Sequence, residues 1–172
     1  RTLSTERPLV MGIVNVTPDS FSDGGTLQSV DDAVARAETL LAEGADILDI
    51  GGESTRPHTE GVEAHEEMRR AVPVIGALAR RFPDVPLSID TVKSTVARAA
   101  IDAGAHIVND VSVLRLDFEM AGTCAELDVG VVLMHSRGSV QEMASYAHAE
   151  YSSDPMDDVL DELRERVALA LA

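Results

Sequence analysis

The sequence lacks several features, and each absence excludes a class of protein. Its single cysteine, Cys124, cannot form an internal disulfide and has no Cys or His partner at zinc-ligand spacing, which predicts a reducing compartment. No uncharged apolar run reaches the ~18 residues of a membrane-spanning helix. The amino end lacks the basic, apolar and small-residue zones of a secretory signal. We therefore expect a cytoplasmic protein with no membrane partner.

Positive charge is also scarce. The chain has 14 Lys and Arg against 30 Asp and Glu, a formal net charge of −16. Because nucleic-acid affinity needs clustered cations, this balance argues against a nucleic-acid partner. An acidic protein still binds a small anion where a few cations and backbone amides converge, so the arginines in loop-like segments, Arg56 and Arg137, are informative.

The 172 residues, 45% of them hydrophobic, are enough for one domain with a core. Segments of strand length alternate with segments whose apolar residues recur at helical spacing, which predicts an α/β fold with parallel strands and outer helices. The predicted strands are Leu9–Val14, Ile47–Ile50, Pro86–Ile89, Ile107–Val108 with Val111, and Val129–Met134. The predicted helices are Val30–Ala42, Val62–Phe82, Val92–Ala103, Phe118–Leu127 and Pro155–Leu171.

Glycine, proline and capping residues mark the ends of these segments. Gly44 and Gly104 fall where a helix ends with positive φ. Asp90–Thr91 and Asp154–Pro155 precede helices in the order typical of caps. Pro73 lies inside the second helical segment, so that segment is either kinked or made of two pieces.

A short internal echo points to repeated βα units. The phrase at 44–49, Gly-Ala-Asp-Ile-Leu-Asp, returns as Gly-Ala-His-Ile-Val-Asn at 104–109. Repeated βα units are typical of (βα)₈ barrels, although six residues do not prove a duplication.

Polar residues follow the predicted strands, at the end where parallel α/β sheets place their active sites. The residues at these exits are Asn15, Asp49 with Glu53, Asp90, Asn109 with Asp110, and His135. The alternative is that they only cap the next helix, which fits Asp90 best.

Two loops are richer in function-bearing residues than a cap requires. The first, at 15–25, combines a Pro-Asp turn, hydroxyls, two carboxylates and a Gly-Gly hinge around Phe21, which is the composition of a mobile lid. The second, at 51–57, adds glycines and Arg56, which either holds an anion bidentately or is a solvated surface residue.

These loops resemble the paired signature of dihydropteroate synthase. The resemblance rests on Met11–Gly25 and Gly52–Pro57, and it extends to Ser88–Thr91, Ile107–Val111 and Leu133–Gly138 in the same order. It covers nearly the whole chain. The first motif is long and specific, whereas the later ones occur in other pterin-binding barrels.

The resemblance implies condensation of 6-hydroxymethyl-7,8-dihydropterin pyrophosphate with 4-aminobenzoate. It implies that Asp90 and Asn109 hydrogen-bond the pterin, with Met134 nearby. Pyrophosphate leaves first in the family, giving a pterin cation that the arylamine attacks, so no protein nucleophile is needed.

The resemblance also implies Mg²⁺ as cofactor. Asn15, as a metal ligand, and Asp23 would assist the Mg²⁺-pyrophosphate group, and Arg56 would contact the anion. The catalytic set is then Asp23, Arg56 and Asp90. Phe21, Thr55 and Pro57 would form the aminobenzoate pocket, where sulfonamides compete.

The chain departs from the family in length. A complete (βα)₈ domain has about 250 residues, so we expect residues 1–172 to form a pterin-binding domain with the first five βα units of a partial barrel, the last three units being absent. We expect little turnover from this chain alone. Unpaired strand edges predict self-association as a homo-oligomer.

Two rival interpretations remain open. One is a pterin-dependent methyltransferase domain, which shares contacts of the Asp90 and Asn109 type but has no use for a pyrophosphate-binding loop. The other is a non-catalytic pterin-binding fragment, either truncated or folded as an open doubly wound sheet.

Overall fold

The computed structural model describes residues 3–16, 30–53, 61–135, 137, 150–152 and 154–171. Within these ranges five strands alternate with five helices, as the sequence predicts. The elements are β1 (Met11–Asn15), α1 (Val30–Ala42), β2 (Ile47–Gly51), α2 (Ala64–Arg81), β3 (Leu87–Asp90), α3 (Ser94–Ala103), β4 (Ile107–Asp110), α4 (Met120–Glu126), β5 (Gly130–Leu133) and α5 (Pro155–Ala170). None of the helices in the described ranges is long and apolar enough to cross a membrane.

The strands form one parallel sheet in the order β1-β2-β3-β4-β5. Each strand therefore lies beside the next strand of the chain, and the order never reverses. A doubly wound sheet has a point where the strand order reverses, so this topology excludes that alternative. Consecutive neighbours are what the predicted succession of barrel units requires.

The two faces of the sheet differ in chemistry because side chains alternate along each strand. One face packs against the helices and contributes to the hydrophobic core, with members that include Val14, Leu48, Ile50, Leu87, Ile89 and Val108. The other face carries Asn15, Asp49, Asp90 and Asn109, the residues in alternate positions of the same strands. The second face also carries apolar residues such as Ile13 and Ile107, and its polar groups lie toward the carboxyl ends of the strands.

Several predicted boundaries are confirmed. Gly44 and Gly104 have φ of 104° and 118°, as expected for glycines that end helices. Pro73 lies inside α2, which is a single helix and not two pieces. An internal proline costs a helix about 3 kcal/mol. The turn after it buries Val74, Ile75 and Leu78, and this packing keeps the helix continuous.

The predicted caps have different outcomes. Asp154 caps α5 as predicted, since its side chain accepts a hydrogen bond from the Met156 amide at 2.9 Å. The prediction that Asp90–Thr91 caps α3 is wrong. That helix begins later, at Ser94, and its first amide donates to Asp117 Oδ2 at 2.7 Å. Asp117, distant in sequence, has the capping role, which leaves Asp90 available for other contacts.

Candidate functional site

The strand register places four residues in one row across the sheet. Asn15 is the register partner of Gly51, Gly51 of Asp90, and Asp90 of Asn109. Register partners in a parallel sheet share a face, and neighbouring strands lie about 4.8 Å apart. Three polar side chains from β1, β3 and β4 therefore lie side by side at the carboxyl edge of the sheet.

Gly51 keeps the middle of this row open. A Cβ atom at this position would lie 3.3 Å from Asn15 Oδ1 and 3.7 Å from Asp90 Oδ2. Any larger side chain would fill the space between those two groups. The glycine that the sequence places at the end of β2 thus leaves room for a ligand between an amide and a carboxylate.

The row continues toward β5. Asn109 is the register partner of Val132, and Met134 follows two residues later on the chain. Met134 is half-buried, and its carbonyl accepts a hydrogen bond from Arg166 Nη1 of α5 at 2.6 Å. Of the predicted ligand-binding residues, the structure thus brings Asn15, Asp90, Asn109 and Met134 to one edge.

Asp90 has a strongly perturbed carboxyl group. Its Oδ1 atom is buried and accepts no hydrogen bond from the described residues. Burial, followed by the charges of neighbouring carboxylates, raises the pKa of Asp90 to about 7; the carboxylates are Asp49, Glu67, Asp110 and Glu53. A ligand that donates N–H groups would pair this oxygen and favour the ionised carboxylate.

Asp49 was predicted only as a polar residue at a strand exit, and the structure gives it a larger part. It is 4% exposed, its Oδ2 accepts from Asn109 Nδ2 at 3.1 Å, and its Oδ1 has no partner among the described residues. This bond reaches over β3 to join β2 and β4. Alternate strands meet in the same interior layer when a sheet curls as in a barrel. The bond therefore shows that this polar face is concave.

A buried ion cluster supports the start of the second loop. Lys93 Nζ contacts Glu53 and lies 2.6 Å from Oε2 of Glu67, which is fully buried in α2. Arg70 Nη1 also donates to the Gly52 carbonyl at 3.1 Å. Sequence reasoning missed this cluster because its members come from separate elements. It fixes the chain at Gly52 and Glu53, directly before Ser54.

Asp110, beside Asn109, has a local structural role. Its two carboxylate oxygens accept from the amides of Ser112, at 2.7 Å, and Leu114, at 2.9 Å. These bonds hold a turn in which Val113 and Leu114 have φ near 60°, an unusual conformation for such residues. The turn-and-cap interpretation thus applies to Asp110.

Arg137 and His135 are engaged by α5. The Arg137 guanidinium bonds Glu162 Oε1 through Nε at 2.8 Å and Nη2 at 2.6 Å, and it lies 4.1 Å above the Tyr151 ring. His135 Nε2 lies 2.9 Å from Glu162 Oε2. Arg137 is therefore a structural arginine.

Five of the predicted site residues lie outside the described ranges: Phe21, Asp23, Thr55, Arg56 and Pro57. Their roles remain predictions. The parts of the chain that the structure describes contain no cluster of three His, Cys, Asp or Glu side chains arranged to hold a metal ion. Asn15, the predicted metal ligand, is exposed at the end of β1.

Comparison with known proteins gives consistent matches. The family model for pterin binding enzymes matches residues 11–172. Dihydropteroate synthase of Bacillus subtilis (strain 168) is 46% identical over 166 residues, covering 96% of this chain and 54% of that protein. The chain spans about half the length of the bacterial dihydropteroate synthases it matches and less of the longer bifunctional relatives, such as 32% of the one from Pisum sativum.

Solved structures agree. The Yersinia pestis dihydropteroate synthase in a sulfonamide complex superimposes with a TM-score of 0.85 and 42% identity, over 99% of this chain and 60% of that one. The Xanthomonas albilineans enzyme with 4-aminobenzoic acid gives 0.82 and 48%, over 98% and 57%. These neighbours are (βα)₈ barrels, so the prediction of a partial barrel is confirmed.

Proposed function

The chain belongs to the family of pterin-binding enzymes, and from this premise we propose that it carries the pterin side of a dihydropteroate synthase site. The reaction condenses 6-hydroxymethyl-7,8-dihydropterin pyrophosphate with 4-aminobenzoate, giving 7,8-dihydropteroate and pyrophosphate, a step of folate biosynthesis. The observation that carries this proposal is the row of Asn15, Gly51, Asp90 and Asn109 on the concave face.

The chemistry of this row suits a pterin ring. Asp90 offers a buried carboxylate oxygen without a partner in the described protein, and Asn109, whose Nδ2 donates to Asp49, offers its amide oxygen as a second acceptor. A pterin edge presents N–H donors that would pair these groups. An apolar ring would leave them unpaired, at about 1–3 kcal/mol for each group, and this penalty selects for the pterin.

Asp90 has a second role in this proposal. Departure of pyrophosphate leaves positive charge on the pterin, and an ionised carboxylate beside the ring would stabilise that charge. The pKa of Asp90 is raised to about 7, and hydrogen bonds from ring N–H groups would lower it and so favour the ionised form. This supports Asp90 as a catalytic residue of the pterin half.

The pyrophosphate half would lie beside Asn15, with Asp23 and Arg56. The exposed Asn15 amide oxygen is a hard ligand that fits Mg²⁺, an ion that takes one or two protein oxygens together with phosphate oxygens and waters. When bound, Mg²⁺ would supply positive charge for the leaving pyrophosphate. Arg56 would bind the same anion through its guanidinium.

The second substrate would occupy the outer part of the site. We propose that Phe21, Thr55 and Pro57 form the aminobenzoate pocket, in which sulfonamides compete. The Xanthomonas albilineans structure contains 4-aminobenzoic acid and the Yersinia pestis structure a sulfonamide, and these two ligands support such a pocket in this chain. A homo-oligomeric state and a cytoplasmic location remain predictions; one relative, from Pisum sativum, is called mitochondrial.

The test is a pterin-binding titration with matched variants. We expect D90N to weaken the binding of 6-hydroxymethylpterin pyrophosphate in Mg²⁺ at least tenfold, which corresponds to about 1.4 kcal/mol. Ser88, a buried residue two positions before Asp90 in β3, provides the control. S88A should bind the ligand as the wild type does. Equal binding by D90N and the wild type would reject the proposed site.

The same preparation separates the rival activities. Release of pyrophosphate on addition of 4-aminobenzoate supports synthase chemistry in this chain. Binding of the pterin without release supports the non-catalytic binding module. Binding of methyltetrahydrofolate in preference to the pterin pyrophosphate would favour the methyltransferase interpretation.

A further inference from the structure

The contact between Asp49 and Asn109 constrains one of the ligand-facing groups. Asn109 Nδ2 donates to Asp49 Oδ2 at 3.1 Å, so the nitrogen end of the Asn109 amide faces Asp49. The Oδ1 atom of the planar amide then points away from Asp49. The contact therefore decides which end of the Asn109 amide is left for a ligand.

The needs of the fold do not account for Asp49. It is 4% exposed in the middle of β2, and its Oδ1 is unpaired among the described residues. Burial of a carboxylate with one hydrogen bond disfavours folding. Its register partners, Ile13 on β1 and Ser88 on β3, offer no positive charge. An apolar residue would suit this position better if stability were the only requirement.

We propose that Asp49 is a positioning residue that fixes the Asn109 amide with Oδ1 toward the ligand. The site then presents an amide carbonyl beside the Asp90 carboxylate, so it selects a heterocycle edge that donates N–H groups at both positions. This inference rests on the proposed pterin function for the identity of the ligand. The orientation of the amide can be tested without any ligand.

The small number of asparagines in the sequence makes this test simple to interpret. Asn15 and Asn109 are the only two asparagines among the 172 residues. A protein labelled with ¹⁵N in asparagine therefore gives two side-chain NH₂ pairs in a proton-nitrogen correlation spectrum, and N15A identifies which pair belongs to Asn109. Asn15 is exposed and serves as the internal reference.

In the wild type we expect the Asn109 NH₂ protons to exchange with water at least tenfold more slowly than those of Asn15. One Asn109 proton should also be displaced downfield by its bond to a carboxylate. In D49N, which keeps the size of the side chain and removes the charge, the downfield displacement should disappear. D49N adds an NH₂ pair of its own, which the double variant D49N/N109A identifies. S88A, at the register partner of Asp49, should leave both wild-type pairs unchanged.

Ligand binding supplies the second readout. We expect D49N to weaken 6-hydroxymethylpterin binding at least tenfold and S88A to leave it unchanged. A structural role alone would move the midpoint of thermal unfolding without this selective loss. The comparison is therefore made below the unfolding transition of each variant, and the wild-type exchange measurement stands even if D49N does not fold.

Each outcome decides a separate question. Equal exchange of the two NH₂ pairs in the wild type would overturn the positioning role, as would a D49N spectrum with the Asn109 pair unmoved. An altered Asn109 pair with unchanged pterin affinity would overturn the link to specificity. A wild type that shows the protected pair but binds no pterin would contradict the proposed function and leave the positioning contact supported.

Discussion

Replacing Asp90 by asparagine should stabilise the protein in a manner that depends on pH. The pKa of this carboxyl is raised from 3.8 to about 7, first by burial and then by the surrounding carboxylates. Between those two values the group is protonated in the folded protein and ionised in the unfolded chain. The wild type therefore loses stability as the pH rises through this window, and above about 7 the loss is complete and constant.

The magnitude follows from the width of the window. The slope is about 1.4 kcal/mol per pH unit while the two states differ by one proton. From about pH 5 to about pH 8 only the first two units contribute, which gives about 2–3 kcal/mol. The amide that D90N introduces cannot ionise, so the stability advantage of D90N over the wild type should grow by that amount across the range.

The assay is urea unfolding of both proteins at each pH. Because the chain has no tryptophan, unfolding is best followed by far-ultraviolet circular dichroism. S88A serves as the control, since its difference from the wild type should not change with pH. A D90N advantage that is the same at every pH would refute the assigned electrostatic environment. Pterin affinity of the wild type should rise with pH through about 7, because the ionised Asp90 is the better acceptor.

Two further predictions concern stability. K93M leaves Glu67 buried without its cation, so it should lower the free energy of unfolding in urea by about 3–5 kcal/mol. The control R98M breaks an exposed ion pair and should leave the unfolding midpoint unchanged. Equal effects of the two variants would contradict the buried cluster. G104A should lower the free energy of unfolding by at least about 1 kcal/mol, because φ is 118° and the new Cβ would lie 2.6 Å from Ala79 Cβ. G122A lies in open space on α4 and should raise the free energy of thermal unfolding by up to about 1 kcal/mol. A destabilised G122A would contradict this comparison.

The order and type of the elements could be predicted from the sequence because they depend on local patterns. Strand-length apolar runs, helical spacing and glycines at helix ends each act over a few residues. In the structure α2 and α3 each begin two residues later than predicted, because the first two predicted residues are not helical. The parallel sheet followed from the alternation itself.

The distinct roles of Asp90 and Asp110 could not be predicted in the same way. Each is the last residue of a strand and precedes a helix, yet Asp110 holds a turn through two amides, whereas Asp90 caps nothing. The difference arises because Asp117 reaches the Ser94 amide from a distant position. Long-range competition for one amide is invisible to any local pattern.

The bond between Asp49 and Asn109 is also a long-range contact that local patterns do not predict, although the internal repeat gave a partial indication of it. It depends on curvature that brings β2 and β4 together over β3, which no strand predicts alone. The internal echo nevertheless aligned the two residues, since 44–49 and 104–109 end on Asp49 and Asn109. Two units apart in a barrel, equivalent positions fall in the same interior layer. The short repeat therefore aligned two residues that are in contact.

The charges around the polar row imply a division of the site into two halves. Asp49, Asp90, Glu53 and Glu67 supply acceptors and negative charge, and Lys93 is held between the two glutamates. Such surroundings favour a ring that donates N–H groups and disfavour a bound pyrophosphate. The anion therefore needs cations outside this row. Arg137 is committed to α5. The proposed roles of Arg56 and Mg²⁺ would meet this need, and they would place the pyrophosphate on the Asn15 side of the mouth, away from Asp49.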